Sequence, residues 1–118
     1  MADLEVLELT AGDAVGVLLS RESADLDLNL LRFVDGGGVD RHVNNEVDVV
    51  VVVLAGAGLL EADGAQVPLR PERAVLIPKG IERAIHALPG AELVYLSLHR
   101  RRQRLMPQPR PRPNASGG

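Results

Sequence analysis

Residues 36–56 read GGGVDRHVNNEVDVVVVVLAG and hold the longest apolar run of the chain, its first histidine and its densest polar cluster. The run from 47 to 54 is almost continuously β-branched, which predicts a strand buried on both faces. Ahead of it, His42, Asn44, Glu46 and Asp48 share one parity, so a single straight strand would carry all four on one face. The glycines at 36, 37 and 38 form a flexible break before a strand rather than a helix, and therefore lack the setting of a phosphate-binding loop.

Toward the N-terminus, residues 4–9 (LEVLEL) predict a first strand and 14–20 (AVGVLLS) a second. Residues 25–30 (DLDLNL) alternate strictly, as a half-buried strand with one wet face does. Leu26, Leu28 and Leu30 are read as its core side. At Leu31-Arg32-Phe33 the parity flips, which predicts a bulge or a bend.

Toward the C-terminus, Asp63-Gly64 between 59–62 (LLEA) and 65–69 (AQVPL) is a two-residue type I′ hairpin signal. Residues 74–77, 81–87 and 91–99 complete the strands, parted by Pro78-Lys79-Gly80 and Leu88-Pro89-Gly90. No window has a helical period, and turn signals recur about every ten residues, so the fold class is all-β. Residues 1–106 are assigned to this domain. From Arg100 onward Pro, Arg, Gln, Ser and Gly replace the apolar residues, and 107–118 are expected to be a disordered tail.

A chain of 118 residues fits one domain with a core of its own. It has no cysteine, which excludes disulfides and thiolate metal sites and is compatible with a reducing compartment. Residues 1–10 lack the basic and apolar regions of a secretory signal. The apolar run 49–60 contains Gly56 and Gly58 and is too short to span a bilayer. A cytoplasmic protein without membrane association is the expectation. The net charge of −3 hides an asymmetry, since residues 99–118 carry His99, six arginines and no acid. Such a run is either a contact for an acidic partner or a solvated end. Phe33 and Tyr95 are the only aromatics, too few for the stacking platforms of single-strand binders, so a nucleic-acid partner is not expected.

The spacing of two stretches resembles a known family. Gly36 is followed after five residues by His42, and then by Asn44, Val49 and Gly56; this is similar to the first cupin motif, a Gly followed by His-x-His, a Glu and a Gly. Pro78-Lys79-Gly80-Ile81-Glu82-Arg83 resembles the second cupin motif, Pro-x-Gly-x-x-His. The resemblance covers residues 25–98. It implies a small cupin-type β-barrel (a double-stranded β-helix or jelly roll) that pairs as a homodimer. In the family's enzymes it also implies a divalent metal, held by the histidines and Glu of the first motif and the His of the second.

In this chain those four positions are His42, Asn44, Val49 and Arg83. An amide is a weak ligand for first-row metals and a guanidinium is permanently cationic, so the metal motif is degenerate and no cofactor is expected. Three readings remain open, and with them whether the chain is an enzyme. In the first, Arg83 replaces the ion as a fixed charge, and His42, Asn44 and Arg83, with Glu46 and Asp48 near, bind a small anionic molecule; alternatively Glu46 or Asp48 pairs with Arg83 and the pocket is closed. In the second, a metal-dependent oxygenase or isomerase rebuilds a divalent site from His42 and two of Glu46, Asp48 and His86. That requires His86 to face inward, although its parity opposes that of Arg83. In the third, the chain is a structural or regulatory homodimer with a basic tail and a filled barrel.

Overall fold

The β-branched run and the alternating segment become neighbours of one central strand. The structure, a computed structural model, describes residues 3–101; the expected domain end at 106 and tail at 107–118 lie outside the described residues. It contains β1 (Gly16–Glu22), β2 (Leu26–Val34), β3 (Gly38–His42), β4 (Val49–Gly56), β5 (Gly58–Ala62), β6 (Ala65–Leu69), β7 (Ala74–Ile77), β8 (Arg83–Ala87) and β9 (Glu92–Arg100). A five-stranded sheet has the order β1-β2-β9-β4-β7 and a four-stranded sheet the order β3-β8-β5-β6. The two pack face to face as a flattened barrel, and every pairing is antiparallel.

The registers define what lies inside. Asp27, His99 and Val49 form one row across β2, β9 and β4; Asn29, Ser97 and Val51 form the next, and Leu31, Tyr95 and Val53 the third. Val49, Val51 and Val53 are 6 %, 1 % and 1 % exposed and join Leu31, Leu60, Leu69, Ile77, Ile85, Leu93 and Tyr95 in the core. Val50 and Val52 point the other way and are half-buried. The run is thus not buried on both faces as predicted, because the residues described place no second layer of strands or helices over the outer face of the five-stranded sheet.

The strict alternation of 25–30 is a strand, but its faces are inverted relative to the reading from sequence. Asp27 and Asn29 point into the barrel, while Leu26, Leu28 and Leu30 lie on the opposite face, where Leu28 and Leu30 pair with Leu98 and Leu96; of the three, Leu30 is buried as expected, at 1 % exposed, whereas Leu26 is 52 % exposed. No bulge sits in β2, whose pairing with β9 runs unbroken from Leu26 to Val34. The irregularity is in β1, between Val17 and Leu19. The parity flips at Leu31 because the inner face itself changes, from a polar end at Asp27 and Asn29 to an apolar floor at Leu31 and Phe33.

Residues 4–9 are not a strand. Leu4 and Val6 are 94 % and 83 % exposed; strand propensity without an edge to pair with leaves the segment irregular. It is tethered by Arg21, which donates to Glu5 at 2.7 Å, and the chain after it is held by Arg32, which donates to the carbonyls of Asp13 and Ala14. Two tight turns use the Asp-Gly pair. Asp63 and Gly64 have φ of 51° and 78°, the type I′ hairpin predicted. Asp35 and Gly36, at 48° and 81°, make a second such turn, closed by the Gly37 N–H on the Val34 carbonyl at 2.9 Å. The glycine break is therefore a defined turn, at which the chain passes from one sheet to the other.

Candidate functional site

Both sheets are polar at the same end of the barrel, and a cavity of about 510 Å³ opens between them there. The five-stranded sheet contributes Asn29, Ser97 and His99 at the mouth and Leu31, Val51 and Tyr95 below. The four-stranded sheet and its approach contribute His42, Asn44 and Arg83, with Ile85 below. His42 and Arg83 are cross-strand partners on β3 and β8. Their side chains meet the cavity from one wall.

Arg83 is 4 % exposed, one of two buried polar or charged residues among those described, the other being Asn44 at 7 %. Its guanidinium donates to the Ile81 carbonyl at 3.3 Å. His42 Nδ1 lies 2.8 Å from the Asp40 carbonyl. A carbonyl oxygen only accepts, so Nδ1 carries the hydrogen and, in the neutral ring, Nε2 remains as the acceptor.

Asn44 has a structural task as well. Its Oδ1 accepts from the Glu46 and Val47 N–H groups at 2.9 and 3.2 Å, and its carbonyl accepts from Gly80 N–H at 2.7 Å. This Asx turn ends β3, so 43–48 is a loop and not the straight strand that shared parity requires. Glu46 and Asp48 are consequently exposed. They line a second hollow of about 350 Å³ with Lys79, Leu98, His99 and Arg100, so that His99 borders both this hollow and the cavity, and Asp48 accepts from the Lys79 N–H at 2.8 Å. Of the five residues read from sequence, His42, Asn44 and Arg83 come together at the cavity, whereas Glu46 and Asp48 do not line it.

His86 lies on the outer side of β8, where its Nδ1 is 3.9 Å from Glu61. Among the described residues no three His, Asp or Glu side chains are grouped to hold a metal ion. The set His42, Asn44, Val49 and Arg83 does not fit a divalent cation, since it offers one imidazole and a guanidinium whose charge repels the ion. The filled barrel of the purely structural reading is not what is found, because the polar end is open. Also among the described residues, no helix is long and apolar enough to cross a membrane.

Sequence reasoning missed Asn29, Ser97, Tyr95 and His99 as cavity residues. His99 is the most informative. Its Nδ1 lies 2.8 Å from the Arg100 carbonyl and 3.9 Å from Asp27 Oδ2, and it was read only as part of a basic run. Tyr95, 2 % exposed, packs beside Phe33 with ring centroids 6.3 Å apart. Burial disfavours the phenolate and pushes its pKa well above the usual 10.0. The unfolded chain therefore ionises first, so the stability present below about pH 10 falls above it by about 1.4 kcal/mol per pH unit. Because the chain has one tyrosine, tyrosinate absorbance is expected to rise together with loss of the β circular dichroism signal. Tyrosinate forming in a protein still folded would contradict this.

No family model matches the sequence, and no curated protein matches it. Solved structures do. A cupin protein from Bacteroides fragilis is similar over 92 % of this chain and 92 % of its own, with 19 % identity and a TM-score of 0.69. KdgF from Halomonas sp. is similar over 70 % of this chain and 74 % of its own, with 23 % identity and a TM-score of 0.63. The cupin domain of Cnp3 from Schizosaccharomyces pombe matches 72 % of this chain and 58 % of its own, at 10 % identity and a TM-score of 0.62. With the two antiparallel sheets and the polar-ended cavity between them, these likenesses show that the chain has the cupin fold.

Proposed function

We propose that the barrel binds a small organic anion in the 510 Å³ cavity, anchored by Arg83, with His42 and the Asn44 amide beside it. The observation that carries this reading is a guanidinium, 4 % exposed, set in the wall of an open cavity. A fixed cation at the polar end of the cavity, above an apolar floor of Leu31, Val51 and Ile85, suits a carboxylate or another planar anion, to which a guanidinium can donate two parallel hydrogen bonds. The volume lies within the range of small-molecule sites, about 300–1,000 Å³. Calorimetric titration with butyrate tests the reading on the purified chain. Saturable binding that survives dialysis against a chelator is expected. Absence of binding would overturn it, and binding lost on chelation would favour the rebuilt metal site instead.

A homodimer is the proposed assembly, supported by the apolar outer face of the five-stranded sheet. Leu28, Leu96 and Leu98 lie on that face beside Leu26 and Leu76, which are 52 % and 64 % exposed. A contiguous apolar sheet face of this kind fits a self-complementary contact. Leu98→Glu is expected to convert the dimer to a monomer in light scattering with the β signal intact. An unchanged oligomeric state would contradict this placement of the interface.

A further inference from the structure

The cavity has a second polar wall opposite Arg83, and His99 is its chemically distinctive member. Nδ1 of His99 is flanked by two oxygen acceptors, the Arg100 carbonyl at 2.8 Å and Asp27 Oδ2 at 3.9 Å. Neither can donate, so Nδ1 keeps its hydrogen whichever oxygen it faces. In the neutral ring Nε2 is then an acceptor. Asp27 Oδ1 is buried without a hydrogen-bond partner among the described residues.

The two walls thus ask for different groups. Arg83 donates and carries positive charge; His99, on the facing sheet and lining the same cavity, accepts. Facing sheets stand about 10 Å apart, so a ligand that touches both walls is a short one. We infer that His99 is a specificity-determining residue, and that the ligand is a short-chain acid carrying a hydrogen-bond donor, a hydroxyl or an amine, at the end away from its carboxylate. This rests on the anion-binding reading and adds the second end of the ligand to it.

The probes are butyrate, 4-hydroxybutyrate and 4-aminobutyrate, titrated calorimetrically against the wild-type chain and His99→Phe, which retains a ring of similar shape without its nitrogens. One added hydrogen bond corresponds to about tenfold in affinity. The wild type is expected to bind a substituted acid about tenfold tighter than butyrate, and His99→Phe to bind all three as it binds butyrate. Equal affinities in the wild type, or a preference that persists in the variant, would overturn the role of His99 while leaving the anion site standing. No binding by any of the three would overturn both. Nitrogen NMR of the wild-type histidines gives a readout independent of the variant's folding. The Nδ1–H form of neutral His99 is expected, with an Nε2 resonance that moves when the preferred acid is added. An Nε2–H form, or an unmoved Nε2, would sink the inference.

Discussion

Arg83→Met is expected to weaken butyrate binding by at least about 100-fold, because two charge-assisted hydrogen bonds of about 1.5–3 kcal/mol each are removed together. The side chain lies almost wholly within the barrel. Methionine fills comparable volume, but Arg83 has partners within the fold, the Ile81 carbonyl among them, and removing one member of a buried interaction leaves the other unsatisfied and is destabilising. The melting temperature is therefore expected to fall, and the loss of the heat of binding is read at a temperature where the β circular dichroism signal shows the variant folded. Arg83→Lys separates charge from geometry. It keeps the cation but loses the planar fork, and an intermediate loss of about tenfold is expected. Full affinity in Arg83→Met, measured by the same calorimetry, would remove Arg83 from the site.

Gly56→Ala is expected to be the most damaging single-methyl substitution in the fold, at about 3 kcal/mol or more in urea unfolding. Gly56 ends β4 with φ at +87°, and an added Cβ would stand 1.9 Å from the Glu92 carbonyl oxygen. Two costs combine, a left-handed backbone and a collision with main chain that cannot rotate away. Gly64 is the internal control. Its φ is +78° but nothing lies within 4 Å of an added Cβ, so Gly64→Ala should show the backbone cost alone, about 1 kcal/mol. Similar losses at the two positions would mean that the close approach of β4 and β9 is not as described.

The contrast between these glycines shows what was legible before the structure. The turn at Asp63-Gly64 could be read locally, because φ above zero at both central residues is a property of the pair itself. Gly56 could be matched only by its spacing in a motif, since its collision partner is 36 residues away in sequence. The strands from β4 onward followed from turn chemistry and β-branched runs. Residues 4–9 had the same local signature and failed, for pairing is decided by an edge the segment does not reach.

The site divided along the same line. His42, Asn44 and Arg83 were placed by motif spacing, and the cavity collects them. Glu46 and Asp48 were placed by parity, which holds only along a straight strand, and the Asn44 turn breaks that strand. Asn29 and His99 were missed because an alternating strand was assumed to bury its leucines. In this barrel the interior is polar at one end, so the inward face of β2 carries Asp27 and Asn29, and Leu28 looks outward. Alternation reveals that a strand has two faces. Which one is inside depends on what the interior holds.

The central claim is that an anion occupies the barrel beside Arg83. Crystals soaked in sodium bromide and measured at the bromine edge test it most directly, since bromide is an anion that anomalous scattering locates without interpretation of shape. The account predicts a bromide peak inside the cavity, within hydrogen-bonding reach of the Arg83 guanidinium. Bromide confined to the protein surface, with no peak beside Arg83, would contradict it.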